Sequence, residues 1–235
     1  MTTETDERIP TLEQIEQAAT FSGFTDDDFG VFEIDGFAAR MPQLRARVKP
    51  KLIQIGQVLT ERLSAVVGET LYPHVAQHLR RTVNAPVETW VAFSSSPRAY
   101  KPFVHLRCGI SAEKVRVTVF VEDYADEKLL FADNLRREAA SLARYMALHP
   151  TILAYEMRDA DNEPKRGSAL DADTLCAFAE RMHRVKGQHA IFGITFANTH
   201  PVVQSGPEFM EAVVEAARTL KPLYDCGHTS AHQAV

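Results

Sequence analysis

A chain of 235 residues with 45% hydrophobic and 24% charged residues is long enough to bury its own core, so it requires neither a metal nor a disulfide to fold. Its three cysteines are odd in number and widely spaced, and no signal-like leader precedes them, which predicts reduced thiols in the cytoplasm. No apolar run approaches membrane-spanning length, so no membrane partner is expected, and a formal charge of −5 disfavours a general nucleic-acid binder.

The N-terminal part predicts an extension followed by two helices. Residues 1–23 are polar and weakly patterned, which indicates a partly disordered extension. Thr25 offers an N-cap before three aspartates, so a short helix is expected there. A long amphipathic helix follows, and Pro50 predicts a kink within it or two abutting helices. Its apolar face is spaced by three and four residues: Met41, Leu44, Val48, Leu52, Ile55, Leu59, Leu63 and Val66.

The stretch from Tyr72 to Arg107 differs from the rest of the chain in charge. It carries a net charge of +4, so the remainder carries −9, and it holds three of the nine histidines. A cationic segment in an anionic protein indicates a site for something negative. His74–Val83, at its start, is compatible with a helix or a strand, and the helix is slightly favoured.

The rest of the chain predicts strands and helices of one α+β domain over residues 24–225, followed by a flexible tail at 226–235. The helices are expected to pack against a mainly antiparallel sheet, because most predicted strands follow one another directly. The predicted strands are Thr89–Phe93, His105–Ile110, Val115–Val121, Ile152–Met157 and His189–Phe196. The predicted helices follow Asp126, Asp171 and Ser205.

Common catalytic motifs are missing, including phosphate loops, dinucleotide fingerprints and nucleophile elbows, which weakens the corresponding enzyme classes. On a helix, His74 and His78 would lie one turn apart and could share a metal ion. A third ligand would have to be His105 or Glu69, and Gln77 replaces the general base of the comparable protease motif. We therefore expect no metal, and the sequence identifies no cofactor.

Guanidinium and ammonium groups provide the stronger signal for binding. Arg80, Arg81, Arg98 and Lys101 could hold a phosphate or carboxylate, and the loop Ser94–Pro97 could add hydroxyl and backbone donors. Alternatively, Arg80 and Arg81 could pair with acids elsewhere in the chain.

Trp90, the only tryptophan, sits in an apolar strand-like run and is expected in the core, with a stacking platform for a flat ligand as the alternative. Cys108 is expected to be buried and inert, although Arg107 beside it could lower its pKa.

The chain resembles the YktB-like family of bacterial proteins, whose function is uncharacterised, over about residues 24–225. The resemblance is most specific in the segment from His74 to Pro86, followed by Thr89–Phe93, and it continues through Arg98, Tyr100, Lys101, His105 and Gly109. It implies a compact α+β single domain and no particular activity. Arg107 and Cys108 depart from the family pattern.

Three functions are compatible with these residues. The favoured hypothesis is a pocket for an anionic small molecule, with Arg80, Arg81, Asn84, Trp90, Arg98 and Lys101 as ligand contacts. Within it His74, His78, His105 and Tyr100 are candidate catalytic residues, and whether a reaction follows is left open. The second hypothesis is an RNA-binding module that uses the same basic and aromatic residues. The third is a structural ion-pair network without a ligand.

Overall fold

The structure is a computed structural model that describes residues 21–158 and 163–228, so most of the predicted N-terminal extension and C-terminal tail lies outside the described residues. In these ranges, seven strands form one antiparallel sheet with the spatial order β1-β2-β3-β4-β7-β5-β6. The predicted α+β domain with a mainly antiparallel sheet is therefore confirmed. The strands are β1 Tyr72–Val75, β2 Glu88–Ser94, β3 His105–Ser111, β4 Lys114–Val121, β5 Leu153–Arg158, β6 Pro164–Arg166 and β7 Ala190–Ala197.

Eight α-helices are found within the same ranges. Glu138 divides the single helix predicted after Asp126 into α4 and α5. The helices are α1 Asp26–Gly30, α2 Phe37–Gln43, α3 Lys49–Val67, α4 Lys128–Arg137, α5 Ala139–Leu148, α6 Ala172–Arg184, α7 Pro201–Gln204 and α8 Gly206–Tyr224. Short 3₁₀ turns occur at Val31–Glu33, Gly167–Ala169 and Asp225–Gly227.

The long helical region of the N-terminal half follows the predicted periodicity. Helix α2 continues into a π-helical segment at Leu44–Val48, and α3 starts directly after it with Pro50 in its first turn. Proline lacks a backbone N–H, so Pro50 is tolerated at the beginning of α3, where no donor is required. The π-helical segment thus ends just before Pro50, the residue that was expected to disturb the helix. The kink itself stays a prediction.

Helices α3 and α8 pack on one face of the sheet, and both contribute buried residues to the core. Val91 pairs with Cys108, which pairs with Val117, so these three side chains point to the same face and are fully buried. They belong to the same buried cluster as Ile55 and Leu59 of α3, which have no exposed surface. Burying a large aliphatic side chain contributes about 1.5–3 kcal/mol, so this interface stabilises the arrangement of sheet and helices.

The weak preference for a helix over His74–Val83 was wrong. Tyr72–Val75 forms the edge strand β1, in which His74 pairs with Ala92 and Val75 with Val91. The chain then continues as a loop to Val87, and Ala76 still donates a backbone hydrogen bond to the Trp90 carbonyl at 2.9 Å. Pairing with β2 supplies backbone partners that local propensity does not anticipate, and it outweighs a marginal helix preference.

Candidate functional site

The second face of the sheet carries polar and aromatic side chains. Because strand residues alternate between faces, the partners of the core residues point away from α3 and α8. The loops before β2 and before β3 lie against this face: His78 contacts Trp90 with ring centroids 5.4 Å apart, and Tyr100 contacts His105 at 5.0 Å. The residues of β2, β3 and β4 on this face include Glu88, Trp90, Ala92, His105, Arg107, Arg116, Thr118 and Phe120.

These two loops and the turn after β4 enclose a cleft of about 640 Å³. Six of the ten predicted site residues line it, and they are His78, Arg80, Arg81, Trp90, Tyr100 and Lys101. Ala76, Gln77, Leu79, Pro102 and Tyr124 complete the lining. No carboxylate belongs to this set, so every formally charged group that lines the cleft within the described residues is a cation.

His78 occupies an unusual backbone conformation at the cleft. Its φ angle of 51° is in the left-handed region, where no other non-glycine residue of the described ranges is found. Its Nε2 lies 3.0 Å from the Thr89 hydroxyl, within hydrogen-bonding distance. Burial, and then the positive charges of Arg81 and Lys101, lower the pKa of His78 to about 4. His78 is therefore neutral at neutral pH and is exposed to the field of both cations.

The cations of the cleft are not neutralised by any carboxylate of the described residues. Within residues 21–158 and 163–228, Arg80, Arg81 and Lys101 form no ion pair, and the Arg81 guanidinium donates a long hydrogen bond of 3.5 Å to the Asn84 carbonyl. All three cations are exposed. Among the described residues, the acids expected as partners under the ion-pair hypothesis are therefore not in contact with these three cations.

Two predicted ligand residues stand apart from the cleft lining. Arg98 is exposed, and its backbone N–H donates to the Ser96 hydroxyl at 3.3 Å. Asn84 is exposed, and its backbone carbonyl accepts the long hydrogen bond from Arg81. The expected anion nest at Ser94–Pro97 is also engaged internally, because the Ser94 hydroxyl donates to the Ala99 carbonyl at 3.0 Å.

The two remaining histidines lie behind Tyr100 instead of lining the cleft. His74 places Nε2 2.8 Å from the Ser96 carbonyl, and its ring lies 5.6 Å from that of Tyr100. His105 is fully buried, with Nδ1 2.9 Å from the Phe103 carbonyl and Nε2 3.1 Å from Arg107. Burial and then the charge of Arg107 hold the pKa of His105 well below its ordinary value, so its ring is neutral. Both imidazoles are placed to position Tyr100.

A buried cation supports the floor of the cleft. Arg107 is 7% exposed, and its guanidinium lies 3.6 Å from the ring centroid of Phe120 and 4.3 Å from that of Trp90. It donates to the Glu122 carboxylate at 3.2 Å, and burial lowers its pKa. Arg116 forms a two-pronged ion pair with Glu88 on the same face. Structural ion pairs thus exist here, but they involve Arg107 and Arg116 and not the cations of the cleft.

Sequence reasoning missed five lining residues, of which Tyr124 and Leu79 are the most exposed. Tyr124 is 58% exposed and Leu79 is 81% exposed. A local signal for Tyr124 existed, because it follows the predicted end of β4 by three residues, but its position beside the first two loops depends on sheet pairing. Ala76, Gln77 and Pro102 are the other three.

A metal ion has one candidate site among the described residues, and it is separate from His74 and His78. Glu122, Asp123 and His189 place their ligand atoms within 4.8 Å of one another. However, Glu122 already pairs with Arg107, and His189 Nδ1 accepts the Asp123 backbone N–H at 3.2 Å. Since two of the three donors are engaged, we assign no metal to this group.

A second cleft, of about 530 Å³, opens elsewhere on the same face of the sheet. It also contains basic residues, among them Lys165 and Arg166, but its lining includes the carboxylate of Glu163. In the described part of the chain, no helix is long and apolar enough to cross a membrane.

Comparison with known proteins identifies relatives along nearly the whole chain. The model of the family described as "Domain of unknown function (DUF1054)" matches residues 24–224. A UPF0637 protein of Shouchella clausii is 31% identical over 212 residues, which cover 88% of this chain and 96% of the relative. A UPF0637 protein of Macrococcus caseolyticus is 32% identical over 204 residues, covering 86% and 97%.

Proposed function

The chain belongs to the DUF1054 family, which confirms the resemblance to the YktB-like proteins, and we propose that its cationic cleft binds an anionic small molecule through a phosphate or carboxylate group. The proposal is one of binding, and we expect the ligand to be met in the cytoplasm. Three cysteines without disulfides in the described residues support that compartment.

The observation that carries the proposal is the group of unpaired cations. Arg80, Arg81 and Lys101 line one cleft without a carboxylate among the lining residues. Holding like charges together raises the free energy of the empty site, and an anion would offset that repulsion. The depressed pKa of His78 is caused first by burial and then by the same positive field, because Arg81 and Lys101 both disfavour its protonation.

The side chains also suit the chemistry of an oxyanion. Arginine presents a planar fork of donors that matches phosphate or carboxylate oxygens, and lysine adds a compact charge. His78 and Tyr100 are the two candidate catalytic residues that line the cleft, and we retain them as groups that contact the ligand. We assign His74 and His105 to the support of Tyr100, because their contacts lie behind its ring.

The two alternative functions, an RNA-binding module and a structural ion-pair network, have weaker support. A nucleic-acid strand requires a basic track longer than a single cleft, whereas the unpaired cations here are confined to two short loops. A purely structural network requires paired cations, and the paired ones on this face are Arg107 and Arg116.

Calorimetric titration with inorganic phosphate and with acetate tests the proposal at fixed ionic strength. We expect binding to the unaltered chain and a loss of roughly tenfold or more in affinity for Arg81→Ala and for Lys101→Ala, because charge-assisted hydrogen bonds contribute about 1.5–3 kcal/mol each.

The matched control is Arg166→Ala, since Arg166 is an exposed arginine that lines the second cleft. It should leave the affinity unchanged. Equal losses of affinity for Arg166→Ala and Arg81→Ala would show that the anion responds to the net charge of the protein and not to this cleft. If neither phosphate nor acetate binds the unaltered chain, the proposal is refuted.

A further inference from the structure

We infer that the ligand of the cleft carries its anionic group on a planar aromatic body, as a nucleoside phosphate does. This inference rests on the proposed function and narrows it to a substrate class. Its evidence is the aromatic part of the cleft lining, which the anion alone does not require.

The rings of Trp90, Tyr100 and Tyr124 line the cleft together with the three cations. They differ in how much of each ring is covered by other side chains of the protein. Trp90 has Arg107 4.3 Å from its ring centroid and His78 at its edge, so the protein already holds it on two sides. Tyr100 is similarly held by the imidazoles of His74 and His105. Both rings are fixed parts of the wall and leave little surface for stacking.

Tyr124 is the ring that remains available. It lines the cleft and is 58% exposed, and it makes no ring contact with any other residue of the described ranges. An exposed tyrosine gains by covering one face with a flat ligand, because stacking buries apolar area and has a favourable geometry. Tyr124 is therefore the stacking platform of the proposed site.

Leu79 supplies a second apolar surface in the same cleft. It is 81% exposed, which makes it the most exposed of the large hydrophobic residues of the described chain. It directly precedes Arg80 and Arg81, so the loop that brings the charges also brings the apolar side chain. A ligand with an anionic end and an apolar flat body would contact both the cations and the apolar side chains of the cleft, whereas inorganic phosphate would contact only the cations.

The size of the cleft agrees with this class. Its volume of about 640 Å³ lies in the range typical of sites for cofactor-sized molecules. A bare phosphate or acetate would leave most of that space to water, and it would leave Tyr124 and Leu79 exposed.

A calorimetric ladder of probes tests the inference at one ionic strength. The probes are inorganic phosphate, ribose 5-phosphate, adenosine, and the 5′-monophosphates of adenosine, guanosine and uridine. We expect at least one monophosphate to bind roughly tenfold or more tightly than ribose 5-phosphate, because stacking on an aromatic side chain adds to the phosphate contacts. Adenosine should bind weakly, since it lacks the anion.

Variants of Tyr124 then test whether its ring is responsible for the higher affinity of the monophosphate. Tyr124→Ala should reduce the affinity for the preferred monophosphate to that for ribose 5-phosphate and leave the latter unchanged, while Tyr124→Phe should retain it. Tyr72→Ala is the matched control, because Tyr72 is an exposed tyrosine on β1 that does not line the cleft.

The outcomes separate the two proposals. If phosphate binds and no monophosphate exceeds ribose 5-phosphate, the aromatic inference is overturned and anion binding stands. If no probe binds, the proposed function fails with it. If an oligoadenylate binds more tightly with each added nucleotide, the occupant is a nucleic-acid strand and the small-molecule inference is overturned.

Discussion

His78 joins backbone geometry, hydrogen bonding and electrostatics at one position of the cleft. Its left-handed backbone, with φ of 51°, is a conformation that asparagine and glycine adopt at lower cost than most residues. Such a conformation is retained only when the surroundings fix it, and here the Thr89 hydroxyl and the Trp90 ring do so. The sequence made His78 a candidate site residue, but it gave no sign of this geometry, which depends on β2.

The lowered pKa of His78 predicts a pH-dependent contribution to stability. Its pKa is about 4 in the folded chain against 6.5 for the ordinary group, so the unfolded chain binds more protons between these values. The free energy of unfolding should therefore fall as the pH decreases from 6.5 to 4, by on the order of 1 kcal/mol after allowance for solvent screening.

Urea unfolding at pH 7 and pH 4.5 measures this effect. His78→Asn, which suits the left-handed backbone, should lose less stability than the unaltered chain over the same interval. Equal losses in both proteins would show that His78 does not carry the predicted shift.

At the scale of elements, strand alternation separates the buried structural cations of the sheet from the exposed cations of the cleft. On β3, Leu106 and Cys108 face the helices, while Arg107 faces the other side between Trp90 and Phe120. Arg107 is thus fixed by a regular element and by Glu122, whereas Arg81 projects from a loop without an ion pair in the described residues. The two arginines should respond differently to substitution.

Arg107→Met should reduce the free energy of unfolding by about 3–5 kcal/mol, because it leaves the buried Glu122 carboxylate without its cation. Combining it with Glu122→Gln should recover part of that loss. Arg81→Ala should change stability by no more than about 0.5 kcal/mol, since its side chain is exposed.

Denaturant unfolding decides between structural and ligand-binding roles when it compares five proteins: the unaltered chain, Arg107→Met, Glu122→Gln, the double variant of these two, and Arg81→Ala. A double variant that loses as much stability as the two single substitutions together would contradict the account of Arg107 and Glu122. A large loss for Arg81→Ala would restore the hypothesis of a structural network around that residue.

Elements also show why some predictions from sequence succeed and others fail. The apolar periodicity of α3 is local, so Leu52, Ile55, Leu59 and Leu63 could be identified as its buried face without knowledge of the fold. Strand β1 could not be identified in this way, because its backbone partners lie on β2. The position of β7 between β4 and β5 could not be predicted either, because it depends on pairing with strands that are distant in the chain.

For the whole molecule, the uneven charge distribution predicted where the cleft would lie. The segment Tyr72–Arg107 carries +4 in a chain of −5, and its two loops supply all three cations of the cleft. The remaining wall comes from outside the segment, because β4 carries Tyr124 to the cleft through its pairing with β3. The charge pattern can be recognised in the sequence, whereas the position of Tyr124 beside the cations can be recognised only in the tertiary structure.

The central claim is that Arg81 and Lys101 hold an anion beside His78, and NMR titration of the His78 imidazole tests it most directly. Sulfate is a suitable probe because it stays doubly charged near pH 4. The account predicts a pKa of about 4 without sulfate and a clear rise at saturating sulfate, with no rise in sodium chloride of equal ionic strength. A pKa of His78 that responds equally to both salts, or to neither, would contradict the claim.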